Sequence, residues 1–418
     1  MAITDGLDLI DPGLYAKNGP PHETWTRLRR ESPIHHCAPE GFEPFWAITR
    51  HADICQISKQ PDTYLNAPGV VVLSEEQMRS RASGEGLAAM RTIIEMDPPE
   101  HRSYRKVASP WFTPRAVNRI DEAVAKSARH LVDSLAGETG EGECDFALDV
   151  ATAHPLRILS TILGVPQEAE PEILRLTNQL FAGDDPELQR EGEDREKAML
   201  ELGMELYNLF EKIIEDRRAN PRDDLASLLA NGEVDGKPMG PMETFGYYLI
   251  TFTAGHDTTK NALVGGMRAL VEHPDELEKL RRDPDLVNSA VEEIVRWTHP
   301  VNYMRRTVAR DVELGGQRLR EGEFLTLFYG SANRDEEVFD DPFAFRVDRD
   351  PNPHLGFGYG EHFCLGANLA RRSQRALFRE LVSRLEHVEL AGEPEQIGSS
   401  FVIGLKHLPI RYRIKPRQ

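Results

Sequence analysis

Apolar residues recur every fourth position after Cys364, and this spacing predicts a helix with one buried face. Arginines occupy the other faces of the same stretch. The residues that form the apolar face are Leu365, Leu369, Leu377, Leu381 and Leu385. Cys364 is therefore expected just before or at the N-terminus of a helix.

Similar periodicity predicts helices over much of the chain. Residues 115–232 read as helices interrupted at Pro155 and Pro166, and further helices are predicted from about 239 to 273 and from 286 to 297. Alternating apolar residues predict short strands at 45–49, 312–316 and 324–327. The twelve residues from 244 to 255 carry no charge, and they are too few to span a bilayer. We therefore expect a buried helix there.

Length and composition exclude several classes of protein. A chain of 418 residues is long for one core, yet it contains no low-complexity linker and no internal repeat. The net charge of −19 argues against a nucleic-acid binder. The four cysteines lack CxxC spacing, which argues against a disulfide framework or structural zinc and favours a reducing cytoplasm. The acidic residues 1–21 contain no apolar run, so we expect no signal peptide and no membrane anchor.

The stretch before the leucine helix has the composition of a ligand-binding loop. It reads Phe-Gly-Tyr-Gly-Glu-His-Phe-Cys-Leu-Gly over 357–366. A helix N-terminus favours an anion, here a thiolate on Cys364. The glycines leave room for a large flat group to approach the backbone. A turn with one buried cysteine is the simpler interpretation, but the pattern Phe-x-x-Gly-x-x-x-Cys-x-Gly fixes four residues in ten.

At this stretch the chain resembles the cytochrome P450 superfamily, and more specifically its soluble bacterial-type members that hydroxylate terpenes and steroids. The resemblance implies a single domain over residues 1–418, mainly α-helical around a haem, with a small β-rich part. It implies haem b as the cofactor and Cys364 as the ligand of its iron. The other residues that it places around the cofactor are Phe357, Gly358, Gly366 and Gly255.

A second motif lies in the charge-free helix. Asp257 follows the apolar residues, and a buried carboxylate is costly without partners. Gly255 removes bulk beside it, and Thr258 offers a hydroxyl. A helix C-terminus with polar residues is excluded because residues 261–264 continue the apolar pattern. The motif resembles the family's [AG]-G-x-[DE]-T-[TS], which implies that Asp257 and Thr258 relay protons during O₂ activation.

Four basic residues are candidates for holding carboxylates. His101 and Arg105 are four apart, so they project from one face of a predicted helix. Such a pair can bind carboxylates by charge-assisted hydrogen bonds, although most such pairs are surface charges. The resemblance implies that His101, Arg105, Arg306 and His362 bind the two haem propionates.

Glu293 and Arg296 are three apart on a predicted helix and can form an ion pair. On a surface the pair would contribute only about 0.3–0.5 kcal/mol. The resemblance implies instead a buried ion network that a later arginine completes and that supports the haem loop. Arg346 and Arg349 are both candidates, and Arg349 is favoured.

The irregular stretch 66–92 contains an apolar island at 70–73, and long loops in compact proteins are usually functional or mobile. The resemblance implies that this region covers a substrate pocket. The candidate pocket residues are Val71, Val72, Leu87, Met90, Ala254, Val301, Val402 and Ile403. Such an apolar lining suits a hydrophobic molecule the size of a terpenoid, a steroid or a fatty acid.

The resemblance implies a monomeric monooxygenase that takes electrons from NAD(P)H through a ferredoxin reductase and a ferredoxin. A basic docking face for the ferredoxin, or else ordinary solvated arginines, is expected at Arg102, Lys106, Arg371, Arg372 and Arg375. Two alternatives are a peroxide-driven haem-thiolate enzyme and a haem-binding sensor or carrier. The Asp257–Thr258 pair disfavours both.

Overall fold

The structure is a computed structural model, and it describes residues 3–83, 91–181, 187 and 195–416. Helices make up most of the described chain. They are α1 (Leu7–Ile10), α2 (Pro12–Asn18), α3 (His22–Glu31), α4 (His51–Ser58), α5 (Glu75–Ser83), α6 (Glu100–Ala108), α7 (Pro114–Val117), α8 (Asp121–Ala136), α9 (Ala153–Leu163), α10 (Glu170–Phe181), α11 (Arg195–Ala219), α12 (Leu225–Ala230), α13 (Pro241–Glu272), α14 (Pro274–Arg282), α15 (Val287–Thr298), α16 (Tyr329–Ala332) and α17 (Ala367–Arg384).

The strands are short and gather into small sheets. They are β1 (Ile34–Cys37), β2 (Phe45–Ile48), β3 (Tyr64–Leu65), β4 (Glu141–Asp145), β5 (Glu233–Val234), β6 (Lys237–Pro238), β7 (Tyr303–Val308), β8 (Val312–Leu314), β9 (Gln317–Leu319), β10 (Phe324–Phe328), β11 (Leu385–Leu390), β12 (Glu395–Gln396), β13 (Leu405–His407) and β14 (Pro409–Ile414). The largest sheet has the order β1-β2-β10-β7-β3, with β10 parallel to β2 and the other pairs antiparallel. This sheet therefore joins the first and last thirds of the chain.

Helix α13 is the longest element and runs through the middle of the helical part. It packs against α9, α15 and a short π-helix at Ala147–Ala151. Pro241 occupies its first turn, where a missing N–H costs nothing, and Pro274 begins α14 directly after it. One apolar cluster surrounds its C-terminal half and another its N-terminal half. The cavity described below lies beside the middle of this helix.

The helices predicted at 239–273, at 286–297 and after Cys364 agree with α13, α15 and α17 to within a few residues. The region 115–232, predicted as helices, also contains the strand β4, and Pro155 lies inside α9 rather than between helices. Asp97 does not cap α6, whose N-cap is Pro99. Its carboxylate instead accepts hydrogen bonds from the backbone N–H groups of Asn66 and Ala67, at 2.7 and 3.0 Å. Asp97 therefore ties the 66–70 segment to α6. None of the described helices is both long enough and apolar enough to cross a bilayer.

Candidate active site

The cysteine loop folds back on itself in front of α17. The backbone N–H of Cys364 donates to the carbonyl of Phe357 at 2.9 Å, and Gly358 and Gly360 have φ of +70° and +75°. A Cβ on Gly360 would lie 2.2 Å from the carbonyl oxygen of Ser58, so only glycine allows the loop to rest on α4. As the leucine period predicts, Cys364 lies three residues before the first residue of α17.

The thiol of Cys364 lines a cavity enclosed by α6, α9, α13, β7 and the cysteine loop. Cys364 is exposed to the cavity, yet its enclosure within the protein raises the pKa of the thiol. The backbone N–H groups of Gly366 and Ala367 and the charges of Arg105 and Arg371 oppose that effect. The loop therefore provides several groups that favour a thiolate once a cation faces the sulfur.

Helix α13 supplies one wall of this cavity through residues spaced three or four apart. They are Tyr247, Ile250, Thr251, Ala254, Gly255, Thr258, Thr259 and Ala262. The Thr258 hydroxyl donates to the Ala254 carbonyl at 2.7 Å. A Cβ on Gly255 would approach Leu159 to 3.0 Å, so the glycine also allows α9 to pack closely. Four of these eight residues carry a hydroxyl group, and the other four are apolar.

Asp257 lies behind this wall rather than in it. The residue is buried, and its Oδ2 atom has no hydrogen-bond partner. Its other carboxylate oxygen is 3.4 Å from Nδ1 of His256. A buried carboxyl group next to a threonine that faces the cavity can supply protons to that side of α13.

Four basic side chains converge on another part of the cavity. His101, Arg105, Arg306 and His362 all line it. The two imidazole rings stack with their centroids 3.9 Å apart. Nδ1 of His101 and Nε2 of His362 are buried without a hydrogen-bond partner, although Oε1 of Glu361 lies 3.5 Å from Nδ1 of His101. The residues that were predicted to bind carboxylates are therefore adjacent, although they come from three separate segments.

Burial and mutual repulsion disfavour the protonated histidines in this cluster. Burial, together with the positive charges of Arg306, His101 and Arg105, lowers the pKa of His362 to about 2. Burial and Arg105 likewise lower the pKa of His101. Burial also lowers the pKa of Arg306. A concentration of buried basic groups with unpartnered nitrogens calls for an anionic ligand.

Comparisons with known proteins agree with this geometry. Residues 74–414 match the family model described as Cytochrome P450. A relative from Pseudomonas sp named Cytochrome P450-terp is 38% identical over 97% of this chain and 96% of its own. Linalool 8-monooxygenase from Pseudomonas putida is 35% identical over 96% and 98%. The chain belongs to the cytochrome P450 family.

The fold leads to the same family. The crystal structure of CYP108D1 from Novosphingobium aromaticivorans superimposes on this P450 with a TM-score of 0.90. The two chains are 36% identical, and the match covers 99% of this chain and 100% of that one. This P450 is thus a mainly α-helical member of a monooxygenase family whose relatives are named for the oxidation of terpenes, steroids and lipids.

The family and the fold imply a haem cofactor, and the cavity residues fit one. The two unpartnered histidine nitrogens and the two arginines suit a pair of carboxylates. A Cβ built on Gly366, which also lines the cavity, would meet no atom within 4 Å, so space is open above the start of α17. Phe357 and Gly358 line the same space, next to the thiol.

The ion network is formed around Glu293. Arg296 reaches both carboxylate oxygens at 2.7 Å, and Nε of Arg349 lies 3.1–3.2 Å from them. Arg346 contributes only its backbone N–H, at 2.9 Å, and Asn352 adds an amide at 3.2 Å. Of the two candidates, Arg349 is therefore the arginine whose side chain joins the network.

The predicted pocket residues are only partly brought together. Ala254 and Val301 line the cavity. Val402 forms a β-bridge with Val301, and the N–H of Ile403 donates to the Pro300 carbonyl, so both lie one layer behind the lining. Leu87 and Met90 lie outside the described residues.

The structure places the apolar island at 70–73 away from the cavity that it was predicted to line. Val72 is buried in the cluster formed by the N-terminal helices and the large sheet, and Val71 packs against its edge. Neither is among the described residues that line the cavity. The island is apolar because it covers that sheet, and Ile93 and Ile94 line the cavity instead.

Some cavity residues escaped sequence reasoning. Tyr329, whose hydroxyl is hydrogen-bonded to Arg306, and Asn66, which Asp97 holds, both line the cavity. A lone tyrosine after a strand and a lone asparagine in a loop carry no local signal. Only the fold brings them to the site.

Of the five residues expected at a basic docking face, the four arginines pair with carboxylates, and the exposed Lys106 forms no ion pair with a described residue. Arg371 forms two 2.7 Å hydrogen bonds with Glu292 and lies 4.4 Å from the ring centre of Phe357. Arg372 pairs with Asp121, and Arg102 pairs with Glu361. These arginines therefore brace the cysteine loop and its helix.

Proposed function

We propose that this P450 inserts one oxygen atom from O₂ into a C–H bond of a hydrophobic small molecule. The observation that carries this proposal is a single cavity lined by the Cys364 thiol, the Thr258 hydroxyl and four convergent basic side chains. A thiol, an O₂-side hydroxyl and an anion-binding cluster serve three different needs of one haem-thiolate site. A structural cavity would require none of them.

In this proposal Cys364 would hold the haem iron through its thiolate, and the N–H groups at the start of α17 would stabilise the charge of that thiolate. His101, Arg105, Arg306 and His362 bind the propionates by charge-assisted hydrogen bonds. When bound, a thiolate-ligated haem supplies reductive activation of O₂ and oxygen transfer. Glu293, Arg296 and Arg349 support the loop from behind without contacting the cofactor.

Thr258 and Asp257 are proposed to deliver protons. Asp257 directly precedes Thr258 on α13, and one oxygen of its buried carboxyl group has no hydrogen-bond partner that would hold its proton. Thr258 presents a hydroxyl to the cavity that can pass that proton on. The apolar side chains on the same wall disfavour bulk water, so a defined route for protons is needed there.

The substrate is proposed to be a terpenoid or a molecule of similar apolar character. The relatives named for terpenes and linalool support this class, and so does the isoleucine-rich lining of the cavity. One polar side chain, Thr251, adds a requirement to this substrate class. The Thr251 hydroxyl lines the cavity without a hydrogen bond to any described residue, about 10 Å along α13 from Thr258. An oxygen atom on the substrate, remote from the oxidised carbon, would satisfy it.

We further propose that two electrons arrive from NAD(P)H through a ferredoxin reductase and a ferredoxin. The four cysteines all lie in described residues and none forms a disulfide, which suits a reducing cytoplasm. The family's haem chemistry requires an electron donor, and the Asp257–Thr258 pair favours O₂ over peroxide as the oxidant. A single catalytic domain that acts as a monomer completes the proposal.

The carbonyl spectrum of the reduced holoenzyme tests the thiolate. The wild-type protein is expected to give the red-shifted band of a thiolate ligand, and Cys364→Ala is expected to lose it. Cys55→Ala removes a thiol that does not line the cavity and should keep the band. A wild-type protein without that band overturns the proposal.

Turnover separates the alternatives. Product that forms with NADH, reductase and ferredoxin supports the monooxygenase. Product with peroxide alone supports the peroxide-driven enzyme, and no product with either supports a sensor or carrier. Thr258→Ala should lower the product formed per NADH, whereas Thr253→Ala should not. Thr253 makes the same hydroxyl-to-carbonyl bond on α13 but lies away from the cavity.

A further inference from the structure

His256, which precedes Asp257, is fully buried and is held firmly at one end of its ring. Its Nε2 atom lies 3.2 Å from the carbonyl oxygen of Thr152, and the ring stacks on Phe252 with the centroids 6.1 Å apart. Thr152 directly follows the π-helix, and the helical N–H that would satisfy its carbonyl is 3.4 Å away. The imidazole therefore completes the hydrogen bonding of that carbonyl.

This contact fixes the tautomer of His256. A carbonyl oxygen can only accept, so Nε2 carries the hydrogen. In a neutral ring Nδ1 is then a bare lone pair. Nδ1 is buried and has no hydrogen-bond partner, yet it lies 3.4 Å from a carboxylate oxygen of Asp257.

Two acceptors that face each other at this distance repel unless a proton lies between them. The second oxygen of Asp257 is also buried and unpartnered, so no described donor stabilises the ionised carboxylate. Both observations favour one shared proton. The pair is either a carboxylic acid that donates to a neutral imidazole or an imidazolium that donates to a carboxylate.

We propose, on the basis of the proton relay in the proposed function, that His256 and Asp257 share one proton that they hold ready behind Thr258. His256 is a positioning residue in this arrangement. It does not contact the cavity, and it orients the carboxyl group and keeps its proton in place through Nδ1. Thr152 orients His256 in turn.

Nitrogen NMR of the holoenzyme tests the shared proton without turnover. The protein carries ¹⁵N-histidine and is studied in its diamagnetic ferrous carbonyl form, and the His256 signals are assigned by their loss in His256→Gln. We expect the Nδ1 signal of the wild-type protein to be that of a hydrogen-bonded or protonated nitrogen, and to become that of a bare lone pair in Asp257→Ala. An Nδ1 signal that is the same in both proteins overturns the proposal.

Two substitutions separate positioning from simple structural support. His256→Gln can still reach the Thr152 carbonyl but loses the group at the Nδ1 position. His256→Asn keeps a polar group near Asp257 and loses the bond to Thr152. We expect the Gln variant to lose about tenfold in product per NADH, the effect of about one hydrogen bond, and the Asn variant to lose less than threefold.

If product per NADH follows the thermal stability of the two variants instead, His256 is only structural and the proposal fails. The proposed function is judged separately. Its failure would appear as an absent thiolate carbonyl band, or as unchanged coupling in Thr258→Ala, whereas the nitrogen signals report on His256 in either case.

Discussion

Two buried carboxyl groups in this P450 have opposite surroundings. Glu293 accepts hydrogen bonds from Arg296, Arg349, Asn352 and the backbone of Arg346. Asp257 has an unpartnered oxygen and a histidine nitrogen at 3.4 Å. Although burial alone would raise it, the pKa of Glu293 is lowered by the Arg296 guanidinium and the other donors.

The difference distinguishes a carboxylate that stabilises the fold from one that is proposed to exchange protons. A carboxylate whose oxygens all accept hydrogen bonds, such as that of Glu293, is held in one charge state and one position. Protonating or moving it would break one of those hydrogen bonds. An under-satisfied carboxyl group can gain or lose a proton at little structural cost. Of these two groups, Asp257 adjoins the cavity wall and keeps an unpartnered oxygen, whereas Glu293 belongs to the structural frame of the molecule.

The largest expected effect on stability is at Glu293, whose carboxylate has its full set of hydrogen bonds. Glu293→Gln should lower the free energy of unfolding by about 3–5 kcal/mol, because it leaves two buried arginines without their counter-charge. Denaturant unfolding of the holoenzyme measures the change. Glu122→Gln, on the exposed face of α8, should stay within about 0.5 kcal/mol. A loss below about 1 kcal/mol at Glu293 would remove the contrast.

Lowering the pH should reduce the free energy of unfolding through one buried histidine, His154. Both nitrogens of His154 are bonded, to Ser127 and Ser373, and burial lowers its pKa to about 4. Between the ordinary value of about 6.5 and this value the unfolded chain binds a proton that the folded protein does not. The free energy of unfolding should therefore fall by about 1.4 kcal/mol per pH unit from this group as pH drops.

The pH dependence of denaturant unfolding measures this slope. His154→Gln should flatten it by about that amount between pH 6.5 and 4. His130→Gln, at an exposed position on α8, should leave the slope as it is in the wild type. Equal slopes in all three proteins would show that His154 does not carry the effect.

A smaller effect is expected at Thr251, whose hydroxyl is unpartnered where that of Thr258 is bonded. Thr251→Val should weaken the binding of an oxygenated terpenoid about fivefold, the effect of a hydrogen bond worth about 1 kcal/mol. Titration of the haem spin state gives the dissociation constants. The hydrocarbon of the same skeleton should bind both proteins equally, and an equal loss for both ligands would indicate a change of shape instead.

The smallest expected change is in the stability of Asp257→Asn. The substitution keeps the shape, and the Asn amide can still donate to Nδ1 of His256, so the free energy of unfolding should change by less than about 1 kcal/mol. Product per NADH should nevertheless fall if Asp257 is the proton source. A stability loss like that of Glu293→Gln would show that Asp257 belongs to the frame.

Sequence reasoning succeeded where the signal is local. The period of the leucines located α17, and the spacing of Glu293 and Arg296 set up an ion pair within one helix turn. It was less reliable for long-range contacts. The fold alone brings Asn66 and Tyr329 to the cavity that Arg306 also lines, and it buries Val72 under a sheet. The His256–Thr152 contact joins residues 104 positions apart, and no periodicity indicates such a pairing.

The contact between the cysteine loop and α4 has a consequence for biosynthesis. The cysteine loop rests on the backbone of Ser58, and β10 pairs with β2. Segments near the N-terminus therefore complete their contacts only after segments near the C-terminus have been synthesised. Because chains fold from the N-terminus as they emerge, the ribosome must deliver nearly the whole polypeptide before the cysteine loop can rest on α4. If Cys364 holds the haem as proposed, haem binding is a late event, and a prematurely terminated chain would leave the ribosome without this site.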